Sequence, residues 1–388
     1  MKFSIENLDR VLTPLWEGDT VYCETVLFLG KGEKKQLFYE PLEIMSIHSY
    51  DTSKVYTEGE DYILEDGKLV LTENTSIPYM TEESYYQAPS INDFLQTRAP
   101  GETEWRNTFW GGGKDGIKKY QVAVTYRHNG TWQGFCAPSM KHRFERIIGK
   151  LSRGENATVF FYGDSITVGA NSSSLDGHDP LLPTWAELVS LALAKKFGYT
   201  LRYVSTDFAG GSRLPTEEIS FGDRGVITVI NTAVGGWTVR KGIEMFEVHC
   251  ELFLRKYGCD LLFLGFGMND KRNTPEEEKE LVSSLLDMFL DFSDPDIMLI
   301  ATMLPNPNAN ERWNLNQHLF EAEFLSIAEA LTQKGHSAAV SPLTSVSRSV
   351  LDRKEYRDIT GNNVNHPNDF FIRIYASTIL KTLLGDDK

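Results

Sequence analysis

Along the first 140 residues hydrophobic positions tend to alternate with polar ones, the period of a strand that buries one face and wets the other. Tyr120, Val122, Val124 and Tyr126 keep this alternation most regularly. Asp66-Gly67 stands between Tyr62-Ile63-Leu64 and Leu69-Val70-Leu71, where a two-residue hairpin turn belongs. Val21 to Leu29 and Gln36 to Tyr39 are further strand candidates, and no helical period of useful length breaks the series. The pattern predicts an all-β, jelly-roll-like sandwich over residues 1–150.

Beyond residue 155 short apolar runs alternate with amphipathic helices. Val159 to Tyr162, Val226 to Ile230, Leu261 to Phe266 and Ile297 to Ala301 are apolar on both faces, as strands covered from two sides must be. Trp185, Leu188, Val189, Ala192 and Leu193 fall on one helical stripe, with Gly198 placed to end it. Thr274-Pro275-Glu276-Glu277 reads as an N-cap, a first-turn proline and a capping-box glutamate, and a last helix is predicted from about Asp369 to Leu384. Residues 151–388 are therefore expected to form a three-layer α/β/α domain with its site at the C-terminal ends of the strands. The basic segment Pro138 to Asn156 is expected to connect the two domains.

A length of 388 residues agrees with two domains, and 41% hydrophobic with 24% charged residues is the composition of a soluble globular chain. The formal charge of -15 would repel phosphate backbones and anionic headgroups, so neither nucleic acid nor a membrane is an expected partner. Met1 to Leu12 lack the apolar run of a secretory signal, and Cys23, Cys136, Cys250 and Cys259 form no C-x-x-C pair. A cytoplasmic protein with reduced thiols is expected. Composition leaves the oligomeric state open.

Four constellations follow strand candidates or open the last helix. Gly163-Asp164-Ser165 would present a serine hydroxyl at the top of the sheet, and Val234-Gly235-Gly236-Trp237 would let backbone N–H groups approach a ligand. Gly267-Met268-Asn269-Asp270 offers a side-chain amide to the same cleft, and Asn365-His366-Pro367 a possible base. Each alone is also what an ordinary turn or cap would look like. In this order, over roughly residues 157 to 384, they resemble the SGNH/GDSL hydrolase superfamily of esterases and lipases, which implies a flavodoxin-like sheet.

The resemblance implies that Ser165 is the nucleophile and supplies one oxyanion N–H. It makes Gly236 and Asn269 the other oxyanion donors and His366 the base. It implies no metal and no organic cofactor. Most of that superfamily has an aspartate three residues before the histidine, whereas this chain has Asn363. Asn363 itself, Asp358, Asp369 or a backbone carbonyl would then orient the ring. A β-sandwich ahead of such a domain is similar to the plan of carbohydrate esterase family two, which makes a short-chain, acetyl-type ester of a carbohydrate or other polar small molecule the expected substrate. The alternatives are an acyltransferase or lipase on the same fold, and a catalytically silent carbohydrate-binding protein using aromatics such as Tyr85, Tyr86, Trp105, Phe109 and Trp110. The remaining histidines show no spacing that suggests a metal site.

Overall fold

A computed structural model describes residues 2–86, 94–204, 206 and 218–386. The N-terminal strands are β1 (Thr20–Leu27), β2 (Glu43–Ser49), β3 (Val55–Tyr56), β4 (Tyr62–Glu65), β5 (Lys68–Leu71), β6 (Gln96–Thr97), β7 (Arg106–Asn107) and β8 (Gln121–Arg127). Four of them make one antiparallel sheet in the order β1-β8-β2-β3. The β4-β5 hairpin turns through Asp66 at φ 52° and Gly67 at φ 72°, both positive as a two-residue hairpin requires.

Instead of two facing sheets of similar size, the described residues hold this sheet and two two-stranded ribbons. The apolar side of the sheet is covered by the other half of the chain: Val26, Val124 and Tyr126 share one continuous core with Phe371, Ile374 and Tyr375 of the helix Asp369–Leu384. Gln36 to Tyr39 form no strand. The Phe38 N–H is taken by the Glu24 carboxylate at 3.1 Å and the Tyr39 N–H by the Tyr126 hydroxyl at 3.2 Å, so side chains occupy the donors a ladder would need. The expected connector is itself helical over Glu145–Ser152, because Phe144, Ile147 and Leu151 fall on one buried stripe.

The C-terminal strands are β9 (Ala157–Gly163), β10 (Thr200–Tyr203), β11 (Ile219–Ser220), β12 (Val226–Asn231), β13 (Leu261–Gly265), β14 (Asp296–Ala301) and β15 (Ala338–Pro342). Their order is β11-β10-β12-β9-β13-β14-β15, all parallel except the edge pair β10-β11. β9 is buried at every position, as the central strand of a doubly covered sheet must be. Thr274 closes the anticipated capping box with Glu277, Thr184 forms a second one with Glu187 that was not anticipated, and Gly198 ends its helix at φ 73°. No helix among the described residues is long and apolar enough to cross a membrane.

Buried charges join the two halves. Glu24 on β1 meets Lys354 at 2.7 Å with both side chains fully buried, and Lys35 meets Asp358 at 3.0 Å. Burial alone would raise the Asp358 carboxyl, but Lys35, Lys354 and Arg357 together hold it below the ordinary carboxylate range. Asn368 adds hydrogen bonds to Thr25 at 2.9 Å and Gln121 at 3.1 Å. Because an unpaired buried carboxylate is costly, Lys354→Met is expected to lower unfolding stability by about 3–5 kcal/mol in denaturant titrations. A loss below about 1 kcal/mol would mean that water reaches Glu24 in the folded chain.

Candidate active site

Asp164 follows β9 in an extended conformation and accepts the Ile166 N–H at 2.9 Å, capping the one-turn helix Ser165–Val168. That cap turns the Ser165 side chain upward at the C-terminal edge of the sheet. Gly169 then stops the helix at φ 88°, Ala170 N–H returns to the Ser165 carbonyl at 2.9 Å, and Asn171 follows at φ 67°. The same strand-to-helix turn thus delivers both a hydroxyl and a carboxamide to one place.

His366 arrives from the opposite end of the chain, in a loop that Asn362 organises. The Asn362 side-chain oxygen receives the N–H groups of Val364, Asn365 and His366 at 2.9, 3.0 and 3.1 Å. His366 Nε2 lies 2.9 Å from Ser165 Oγ, and Nδ1 lies 2.8 Å from Asn171 Oδ1. With Nδ1 protonated, the ring donates to the Asn171 oxygen and leaves Nε2 to accept the serine proton. Burial pulls the imidazole down to about 4, opposed only in part by the Asp176 charge. At neutral pH the ring is an uncharged acceptor.

None of the anticipated partners orients this ring. Asn363 points away: its oxygen accepts the Tyr85 hydroxyl at 3.0 Å and its amide donates to the Phe109 carbonyl at 2.7 Å. An aspartate there could not make the second bond, and φ 66° suits asparagine. Asp358 is held in the buried ion-pair cluster, and Asp369 accepts the Ser173 N–H at 2.9 Å. Asn171 replaces all three.

Residues from both halves of the chain fix Asn171. A Cβ on Gly112 would stand 2.2 Å from Asn171 Nδ2, and one on Gly361 2.5 Å from Asn171 Cβ, so only glycines fit against this side chain. Gly111 N–H donates to the Asn362 carbonyl at 3.2 Å, and the buried Lys118 ammonium donates to the Asn171 carbonyl at 3.3 Å while pairing with Asp176.

On the other side of Ser165, a Cβ on Gly235 would lie 3.7 Å from the serine Cβ, and Gly236 has φ 80°. The Asn269 amide donates to the Trp237 carbonyl at 2.9 Å, which sets it beside this turn with its second N–H to spare. Three buried carboxyls lie beneath: burial raises Asp164 to about 7, and raises Asp270 and Glu278, even though Asp270 accepts the Val239 and Gly267 N–H groups at 2.9 and 3.1 Å.

Residues 159–369 match the family model of GDSL-like lipases and acylhydrolases. The chain belongs to that family. It is a family of carboxylic ester hydrolases, and the matched range includes Gly163-Asp164-Ser165. Comparison with curated protein sequences gives no match. A solved two-domain esterase active on acetylated mannans, crystallised with mannopentaose, is 22% identical over 63% of this chain and 53% of its own, with a TM-score of 0.44. This chain thus spans about half the length of that protein. An acetylxylan esterase from Geobacillus stearothermophilus is 15% identical over 59% of this chain and 94% of its own, with a TM-score of 0.39. A lipase/acylhydrolase from Enterococcus faecalis is 16% identical over 58% and 94%, with a TM-score of 0.36.

Sequence reasoning missed Asn171 and Lys118. An asparagine just after a glycine-stopped turn at the GDSL serine was the one local signal for Asn171. In an NMR titration His366 is expected to protonate near 4. Asn171→Asp, by putting a negative charge against Nδ1, is expected to raise that value by more than one unit. An unchanged titration would place some other group against the ring.

Proposed function

We propose that the protein is a serine esterase that removes short acyl groups, acetyl above all, from a carbohydrate or other polar small molecule. The observation that carries this reading is the Ser165 hydroxyl at 2.9 Å from His366 Nε2, on a ring whose other nitrogen is engaged at 2.8 Å. The acyl length and the alcohol are what the resemblance to carbohydrate esterases implies.

Ser165 Oγ attacks the ester carbonyl as Nε2 takes its proton, and the carbonyl oxygen becomes an oxyanion. The N–H groups of Ser165 and Gly236 and the free amide hydrogen of Asn269 receive that charge, each worth on the order of 3 kcal/mol. The protonated ring returns its proton to the departing alcohol, and water then repeats the sequence on the acyl-serine. Asn171 serves as a positioning residue. Its oxygen keeps Nδ1 protonated, which avoids the wrong tautomer that can cost about ten-thousandfold when a triad aspartate is replaced. A site so furnished favours catalysis over silent sugar binding. Residues 1–150 act in this reading as a support for the catalytic domain 151–388, and four cysteines without a disulfide suit a reducing, cytoplasmic setting.

p-Nitrophenyl esters of increasing chain length and acetylated oligosaccharides test the class. Acetyl ester should be turned over fastest, and Ser165→Ala and His366→Ala should each remove at least about a thousandfold of the activity. Wild-type turnover no greater than that of Ser165→Ala on every ester would discard the esterase reading. Since a base is inactive only once protonated, the acid limb of kcat/KM should lie far below the ordinary histidine value of about 6.5, toward 4. Gly112→Ala should lower kcat about tenfold or more by displacing the Asn171 amide, with the fold intact by circular dichroism.

A further inference from the structure

Beside Asn269 the rim of the cleft gathers cations on a chain of formal charge -15. Lys271 and Arg272 follow Asn269 in the loop after β13, and Arg312 comes from the segment after β14. Aromatic rings hold Lys271 and Arg312. Lys271 Nζ stands 4.6 Å from the Trp313 ring centroid, and Arg312 Cζ stands 4.8 Å from that of Phe94 and 5.8 Å from that of Trp313. Phe94 in turn packs on Trp313 at 4.8 Å and on Trp110 at 4.1 Å.

This ledge is mounted on the catalytic loops from both sides. Gln317 donates to the Met268 carbonyl at 3.3 Å and to the Trp313 carbonyl at 2.7 Å, and the Asn316 N–H reaches the Lys271 carbonyl at 3.2 Å. Trp110 leads directly into Gly111 and Gly112, which bind the histidine loop and abut Asn171. The rings and cations are thus carried on the loop that bears Asn269 and on the segment that abuts Asn171.

Lys271 is half-buried, and among the described ion pairs none includes it. Burial lowers its ammonium first, and Arg272 and Arg312 lower it further, so the described charges that act on it are all positive. A partly desolvated cation among cations is costly until an anion joins it. On a chain whose overall charge repels acidic molecules, such a site also steers them locally.

We propose that Lys271, with Arg272 and Arg312 around it, binds a carboxylate on the alcohol part of the substrate, so that the ester cleaved is an acylated acidic saccharide of the uronate class. This rests on the esterase reading above. The chemistry is unchanged: the acyl C–O bond breaks, water supplies hydroxyl to the acyl group and a proton to the sugar oxygen, and the carboxylate only binds. The edge of Trp110, which is 36% exposed, offers the sugar ring an apolar contact.

The test compares kcat/KM on O-acetylated oligogalacturonate and on neutral O-acetylated xylo-oligosaccharide for wild type, Lys271→Met and Lys271→Arg. Wild type should prefer the acidic ester by about tenfold or more, and 0.5 M salt should shrink that preference. Lys271→Met should lose about tenfold on the acidic ester, mainly through KM, and thereby lose the preference. Lys271→Arg should restore it, which separates lost charge from misfolding. Equal turnover of both esters by wild type, with a ratio unmoved in Lys271→Met, would overturn the proposal and leave the esterase reading standing. If no ester, p-nitrophenyl acetate included, exceeds the Ser165→Ala background, the esterase reading falls and takes this one with it.

Discussion

The hydrogen bond from His366 Nδ1 to Asn171 Oδ1, 2.8 Å long, is the contact on which the geometry of the cleft depends. A carboxylate in this position would attract the ring by charge and tolerate some looseness. A neutral amide offers only a directional acceptor, so the orientation has to come from confinement. Gly112 and Gly361 provide it, since neither position has room for a Cβ against Asn171. The amide also leaves the imidazole without a stabilising negative charge in contact, which is why burial carries its proton affinity down to about 4.

That confinement explains the relation between the two halves. Among the described residues the N-terminal sheet closes on no second sheet of its own; it lies against the helix Asp369–Leu384 within one continuous core. Its strands β1 and β8 hold the segment that leads into the histidine loop through Glu24, Gln121 and Thr25, and Tyr85 and Phe109 hold Asn363 within that loop. A serine and a histidine supplied by one half are aligned by contacts from the other.

The charges around the cleft divide by depth. Beneath it, Asp164, Asp270 and Glu278 are buried carboxyls whose proton affinities are raised, so little negative charge faces the oxyanion side. At the rim, Lys271 and Arg312 lie over aromatic rings, and the charges of Arg272 and Arg312 act on Lys271.

What could be read from the sequence is what short stretches decide by themselves. The period of apolar residues marked β9, β12, β13 and β14, and Thr274 and Gly198 marked helix ends, because burial and capping depend on neighbours a few residues apart. Ser165 was legible as part of a local motif after a strand, and His366 as part of one that opens the last helix. The partner of the histidine was not, because Asn171 and His366 are 195 residues apart and nothing local distinguishes an asparagine that orients a ring from one that ends a turn. Nor could the pattern tell whether the apolar face of β1 and β8 would meet another sheet or a helix, since either surface satisfies the same alternation. Those choices were made by tertiary packing, where the shape left beside two glycines and the need to pair buried Glu24 and Lys354 bring distant segments into register.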